Sequence, residues 1–180
     1  AVTAIHQFAP AIRPADATSA HSLRVRGLLA ELGFESHIYV EDDAPLHEGA
    51  LPISRWRPSP GEIALYQFAI GSVLTDTLLR SKVPLALNFH NLTPAEYYDP
   101  WSPGIATSLR WSMAQLRFMA PQVVLGICVS SYNATELERV GARETVVAPI
   151  LLSDERREQT GCARTTGDGA RWLFVGRLAP

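Results

Sequence analysis

The chain has 180 residues, 47% of them hydrophobic, and a formal net charge of -2 at pH 7. This length suffices for one well-buried α/β domain, and the near-neutral charge provides no basic surface for nucleic acid, which is therefore not expected as a partner. The two cysteines, Cys128 and Cys162, are too few for a disulfide framework. The sequence shows neither the charged leader of a secretion signal nor an apolar run long enough for a membrane span, so a cytoplasmic protein is expected.

Short apolar runs alternate with helical patterns over residues 1–150, which predicts a doubly wound, mainly parallel, Rossmann-like α/β sheet. The six predicted strands are residues 3–8, 36–40, 64–68, 84–89, 123–129 and 144–148. The predicted helices are residues 19–32, 73–80, 105–119 and 131–140. Residues 41–62 contain four prolines and mixed charges without periodicity, which is typical of a long surface connection.

The first helix is predicted from apolar residues at helical spacing, which should lie against the sheet. These residues are Val25, Leu28, Leu29 and Leu32. Gly33 follows them as the expected C-terminal cap.

The end of the chain differs in composition from residues 1–150. Residues 151–170 are polar and irregular, which is typical of an interdomain linker. Residues 171–180 contain an apolar run followed by Gly176 and Arg177, a pattern that predicts the first strand of a second Rossmann-like domain, cut short at Pro180.

In open α/β sheets, ligands bind beyond the carboxyl ends of the strands. The first loop at that edge leads into a helix whose opening amides carry partial positive charge and favour phosphate. The candidate binding residues at this helix start are Asp16, Thr18, Ser19 and His21. The alternative is that Thr18 or Ser19 only caps the helix and that Asp16 complements its dipole.

His90 follows the fourth predicted strand directly and is the candidate catalytic residue, with Asn91 beside it. A neutral imidazole can bond a ligand hydroxyl, and its ordinary pKa of about 6.5 permits proton exchange. The alternative is that His90 only satisfies local backbone groups. Gly71 and Ser72 form a further turn that could face the same cleft, unless Ser72 is simply an N-cap.

Several classes of site are not supported by the sequence. The histidines and cysteines lack metal-ligand spacing, so no metal site is predicted. Dinucleotide-binding, P-loop and α/β-hydrolase glycine motifs are also missing, which disfavours the corresponding oxidoreductase, kinase and hydrolase functions.

Eight short segments, each weak alone, are distinctive in their order. They are His6-Gln7-Phe8, Pro14-Ala15-Asp16, Leu29-Ala30-Glu31-Leu32-Gly33, Leu65-Tyr66-Gln67, Gly71-Ser72, His90-Asn91-Leu92-Thr93-Pro94, Val129-Ser130-Ser131 and Phe174-Val175-Gly176-Arg177-Leu178. In these segments the chain resembles family four of the glycosyltransferases, retaining enzymes of the GT-B fold with two Rossmann-like domains around a cleft. By this resemblance, residues 1–150 are the N-terminal, acceptor-side domain.

The resemblance implies transfer of a sugar, with retention, from a nucleoside-diphosphate sugar to a hydroxyl of a glycan, lipid or small-molecule acceptor. The nucleotide sugar is then a co-substrate, and no cofactor is expected. His90 would contact the transferred sugar, and Arg177 would reach the donor diphosphate. Thr18-Ser19 replaces the glycine pair usual in this family, which puts direct phosphate contact at that loop in question. The fragment alone is expected to be inactive.

Two other functions stay open. One is a non-catalytic α/β domain that binds a small metabolite, and the other is a sugar-nucleotide epimerase of GT-B shape. Peripheral membrane contact through Trp101, Ile105 and Trp111 is a further alternative to burial of that helix face.

Overall fold

The computed structural model describes residues 1–151. The seven strands are β1 (Ala4–Phe8), β2 (Ile38–Val40), β3 (Leu51–Pro52), β4 (Glu62–Phe68), β5 (Leu85–Phe89), β6 (Leu125–Cys128) and β7 (Thr145–Val147). The four α-helices are α1 (Ala17–Glu31), α2 (Leu74–Ser81), α3 (Pro103–Met119) and α4 (Ser131–Arg139). The predicted linker, apart from residue 151, lies outside the described residues. The predicted second-domain strand and Arg177 lie outside them too.

All seven strands are parallel and form one sheet in the order β3-β2-β1-β4-β5-β6-β7. The chain starts at β1, adds β2 and β3 on one side, and then adds β4 to β7 on the other. This confirms the predicted doubly wound, Rossmann-like α/β fold. The winding direction reverses between β1 and β4, and open sheets of this kind bind ligands beside such a reversal.

The segment interpreted as a surface connection contains an additional strand and part of the core. Leu51 and Pro52 form β3 at the edge of the sheet, and Trp56 is buried with its ring 4.7 Å from that of Phe8. A two-residue strand has no alternation to detect, and an edge position tolerates Pro52. The interpretation was therefore wrong for this part of residues 41–62.

Helix α1 packs partly through the predicted face, since Val25, Leu28 and Leu29 are half-buried, but its fully buried positions are polar. Leu32 is 72% exposed, and the buried residues of α1 are Ser19, His21 and Ser22. His21 and the Ser22 carbonyl contact the side-chain amides of Asn88 and Gln7 in the sheet, whereas Ser19 contacts Asp16 and the Arg13 backbone at the start of the helix. Gly33 has a φ of +86° just after the helix, in agreement with its predicted role as the cap residue.

Three central strands end in the same residue pattern, an amide followed by phenylalanine. The pairs are Gln7-Phe8 in β1, Gln67-Phe68 in β4 and Asn88-Phe89 in β5. Successive side chains of a strand point to opposite faces. The phenylalanines join the main core with side chains of α2, α3 and α4, while the amides lie on the face that carries α1, where Gln7 bonds the helix backbone.

None of the helices within residues 1–151 is long and apolar enough to cross a membrane. The side chains considered for membrane contact are not buried in the fold, since Trp101 is 69% exposed, Ile105 47% and Trp111 46%. Burial of this face of α3 was therefore the wrong alternative.

Candidate functional site

His21 and His90 come together beyond the carboxyl ends of the central strands. His90 directly follows β5, and its backbone N–H donates to the Phe68 carbonyl of β4 at 3.0 Å. His21 lies in the second turn of α1. The two ring centroids are 5.4 Å apart and the rings are nearly perpendicular, at 79°. Residues that are 69 positions apart in the chain thus form one wall of a candidate site.

A row of buried amides connects His90 to the backbone of α1. Gln7 Nε2 donates to the Ser22 carbonyl at 3.0 Å, and Gln67 Nε2 donates to Gln7 Oε1 at 2.8 Å. Gln67 Oε1 in turn lies 2.9 Å from Asn88 Nδ2 and 2.8 Å from His90 Nε2. The three amide residues are at most 2% exposed. A buried polar row of this kind is stable only when its members satisfy one another.

Burial favours the neutral form of both histidines of the site. Burial lowers the pKa of His90 to about 4, with a smaller lowering from neighbouring His21 and an opposing effect of Asp16. Burial also lowers the pKa of His21. His90 Nδ1 is shielded from solvent and has no hydrogen-bond partner among residues 1–151. The neutral ring therefore leaves one nitrogen without a hydrogen-bond partner at the carboxyl end of β5.

His21 has a polar neighbour at each ring nitrogen. The Leu151 N–H points at Nδ1 from 3.0 Å, and Asn88 Nδ2 lies 2.8 Å from Nε2. A neutral imidazole has one lone pair and one N–H, so it cannot accept from both neighbours at once. The two contacts are therefore alternatives, and the tautomer of His21 decides which of them is a hydrogen bond.

At the start of α1, Asp16 is the N-cap residue. Its Oδ2 accepts from the Ser19 N–H at 2.8 Å and from Ser19 Oγ at 2.7 Å, while Ser19 Oγ accepts from the Arg13 N–H at 3.0 Å. Capping is thus present, but through Asp16 rather than through Thr18 or Ser19. The Asp16 carboxylate occupies the position that an anionic ligand would take at this helix start.

Thr18 is half-buried, and its carbonyl accepts from Ser22 Oγ at 2.8 Å. Of the candidate residues at this helix start, His21 belongs to the histidine pair, and the charge of Asp16 acts on His90.

Asn91 is placed in a separate cleft rather than beside His21. Its φ is +81°, and its Oδ1 accepts from the following Leu92 N–H at 2.8 Å. With Arg117 and Tyr132, it lines a cleft of about 390 Å³ between the β5–α3 connection and helices α3 and α4. A larger cavity, of about 450 Å³, lies at the amino ends of the strands beside Lys82, away from the histidine pair.

The Gly71-Ser72 turn is packed against α3 and does not face an open cleft. The Gly71 N–H donates to Ser112 Oγ at 2.8 Å, and the Ser72 N–H donates to Gln115 Oε1 at 2.9 Å. Ser72 Oγ donates to Glu41 and accepts from the Leu74 N–H. The N-cap residue of α2 is Val73 rather than Ser72, but Ser72 Oγ accepts from the first N–H of the helix, so its role is local to the helix start, close to the N-cap alternative.

The polar residues that sequence reasoning missed are Gln7, Gln67 and Asn88, which lie inside the strands rather than in the loops. A signal for them was present. Each interrupts an apolar run one position before its end and is followed by phenylalanine. Of these residues, Gln67 and Asn88 are register partners, whereas Gln7 is opposite Leu65 and reaches Gln67 diagonally. The repeated ending therefore indicates amides near the same edge of the sheet, but not their exact alignment.

Among residues 1–151, no group of three or more His, Cys, Asp or Glu side chains is arranged to hold a metal ion. Arg177 lies outside the described residues. No protein-family model matches this chain, and no curated protein matches its sequence.

Proposed function

We propose that residues 1–150 are the acceptor-side domain of a retaining glycosyltransferase of the GT-B type, which transfers a sugar from a nucleoside-diphosphate sugar to a hydroxyl acceptor. The observation that carries this proposal is the unpartnered Nδ1 of neutral His90 at the carboxyl end of β5. A shielded acceptor without a partner costs about 1–3 kcal/mol. A sugar hydroxyl that replaces the atoms covering Nδ1 would recover this energy.

The position of the histidine pair supports the same proposal. The pair lies at the edge where α/β sheets bind their ligands, near the reversal between β1 and β4. A second Rossmann-like domain, beginning near residue 171, would close the cleft and supply Arg177. Its guanidinium suits the negative charge that grows on the diphosphate as the glycosidic bond breaks.

In the proposed reaction, the acceptor oxygen forms the new bond to the sugar carbon on the same face that the diphosphate leaves. The acceptor proton passes to the departing phosphate oxygen, so no carboxylate nucleophile is required. The Asp16 carboxylate, whose charge acts on His90, is engaged in capping α1, which agrees with a mechanism in which it takes no direct part.

The test uses the full-length protein with a panel of nucleoside-diphosphate sugars. Thermal shift identifies the donor, and product analysis then shows whether a glycoside is formed. In the His90→Ala variant, kcat should fall by about 10²-fold or more with the fold intact. His47→Ala, at an exposed histidine of the same chain, should leave kcat unchanged.

The other outcomes identify the alternatives. Binding of a sugar nucleotide with only free, epimerised sugar nucleotide as product would indicate the epimerase. Tight binding of a metabolite with no transfer to any acceptor would indicate the non-catalytic domain. Turnover that is unchanged in His90→Ala would remove His90 from the site.

A further inference from the structure

The direction of the buried amide row is determined at one end by a backbone group. The Ser22 carbonyl can only accept a hydrogen bond, so the side chain 3.0 Å away must present its amine, which is Gln7 Nε2. Gln7 Oε1 then faces Gln67 and has to accept from Gln67 Nε2 at 2.8 Å. Both glutamines are fully buried, so reversing either amide would leave two acceptors or two donors in contact.

The same direction continues into the imidazole of His90. With its amine used toward Gln7, Gln67 presents Oε1 to His90 Nε2 at 2.8 Å. An oxygen acceptor requires a proton on Nε2. A neutral imidazole with a proton on Nε2 has its lone pair on Nδ1, the atom without a partner among residues 1–151.

We propose that Gln7 and Gln67 are positioning residues that hold His90 in its Nε2–H tautomer. The site then takes a hydrogen-bond donor at Nδ1. That donor is a hydroxyl of the substrate and not a phosphate or carboxylate oxygen. The assignment of this hydroxyl to the transferred sugar rests on the proposed function, whereas the assignment of the tautomer is independent of it. An anionic oxygen at Nδ1 would meet the imidazole lone pair, which is repulsive unless the ring is protonated. Protonation of the ring is opposed by burial and by His21.

This inference explains why glutamine stands at position 67. Glutamate would also accept from His90 Nε2, but its negative charge would favour the imidazolium ion. Glutamate would also lose the donor that bonds Gln7. Glutamine thus fixes the tautomer without charging the ring.

The tautomer can be measured directly by NMR on the 180-residue chain with isotope-labelled histidine, from long-range proton–nitrogen correlations. Wild type should show His90 protonated at Nε2, and Gln67→Leu should lose this single tautomer. Gln67→Glu, which keeps an acceptor at the same place, should retain the Nε2 proton and raise the pKa of His90. Gln115→Leu removes a half-buried glutamine that bonds the Ser72 backbone and should not change the His90 signals.

A proton on His90 Nδ1 in wild type would overturn the inference. An unchanged tautomer in both Gln67→Leu and Gln7→Leu would also contradict it. If Gln67→Leu does not fold, the wild-type spectrum still decides, because the direction of the amide row predicts a single proton on His90 Nε2, whereas a mixture of tautomers would contradict it.

The ligand class is tested in the full-length enzyme with singly deoxygenated sugar donors. One of them should lower kcat/KM by about 10-fold or more in wild type, but by much less in Gln67→Leu. Equal effects of all deoxy donors in both proteins would overturn the hydroxyl assignment. An Nε2–H tautomer in a protein that transfers no sugar would refute the proposed function alone, whereas an Nδ1–H tautomer in an active enzyme would refute only the present inference.

Discussion

The ring of His21 stands nearly perpendicular to the ring of His90, with the two centroids 5.4 Å apart. Two imidazolium ions at this distance, in a partly buried setting, would repel each other and lose hydration. A charge on His21 therefore lowers the pKa of His90 further, beyond the effect of burial. This coupling makes the site responsive to pH, since protonation of either ring disturbs contacts that reach α1, β4 and β5.

Folding stability should fall as the pH is lowered from about 6.5 to about 4. The folded-state pKa of His90 is lowered to about 4, so over this range the unfolded chain takes up a proton that the folded chain refuses. The stability that depends on neutral His90 is fully present above about pH 6.5 and is lost as the pH falls toward about 4. The upper limit of this loss is about 3 kcal/mol, and the partial exposure of the ring reduces it. His21 and His6, whose pKa values are also lowered, contribute with the same sign.

Urea unfolding at a series of pH values measures this dependence. The His90→Gln variant should show a shallower loss of stability between the two limits than wild type. The variant His47→Gln, at an exposed position, is the control and should retain the wild-type slope. A flat profile in wild type would show that His90 titrates normally.

Removal of the Asp16 carboxylate should weaken the start of α1. Asp16→Ala loses the bonds to the Ser19 N–H and Oγ, and the free energy of unfolding should fall by about 1 kcal/mol. Asp16→Asn keeps an oxygen acceptor and should lose much less. Chemical denaturation followed by circular dichroism distinguishes the two variants, and an equal loss in both would mean that charge, not capping, is the important factor.

Gly126 in β6 should not tolerate a side chain. A Cβ at this position would lie 2.5 Å from Cδ2 of fully buried Leu137, so Gly126→Ala should destabilise the fold by about 1–3 kcal/mol. A second change, Leu137→Ala, should cost less in this variant than in wild type. Gly27→Ala in α1 meets no atom within 4 Å and should instead stabilise the chain by about 0.5–1 kcal/mol. Thermal unfolding of wild type, the three single variants and the Gly126→Ala/Leu137→Ala double variant tests the contrast.

The thiol of Cys128 should be unreactive in the folded chain. It is fully buried at the end of β6, and burial, with a smaller effect of Glu138, raises its pKa to about 11. In a Cys162→Ser background, alkylation at mildly alkaline pH should proceed only as fast as the fold opens and should accelerate with added denaturant. Immediate labelling without denaturant would contradict the described packing.

The sequence was sufficient for the parallel fold because periodic apolar runs and helix ends carry local signals. All six predicted strands and all four helices are present, and Gly33 could be placed because a positive φ after a helix favours glycine. Strand β3 was missed since two residues have no period, and its place in the sheet depends on tertiary contacts with Tyr39 and Val40.

The site was predictable only in part. The position of His90 at a strand end followed from topology, and the structure places it beside His21, a candidate from another loop. Asn91, its neighbour in sequence, faces another cleft because the backbone turns through a positive φ at that residue. The face of α1 was predicted only in part, because Leu32 is exposed and the apolar pattern does not show that Ser22 and His21 meet buried amides.

The repeated amide–phenylalanine ending also constrains how the strands can be aligned during folding. A shift of β1, β4 or β5 by a single residue would carry its amide among aromatic rings and its phenylalanine among hydrogen-bonding groups. Each misaligned pairing would thus be destabilised twice, by a buried polar group without a hydrogen-bond partner and by an aromatic side chain removed from the core. The row of amides that contacts His90 consequently also helps to select the correct register of the central strands over registers shifted by one residue.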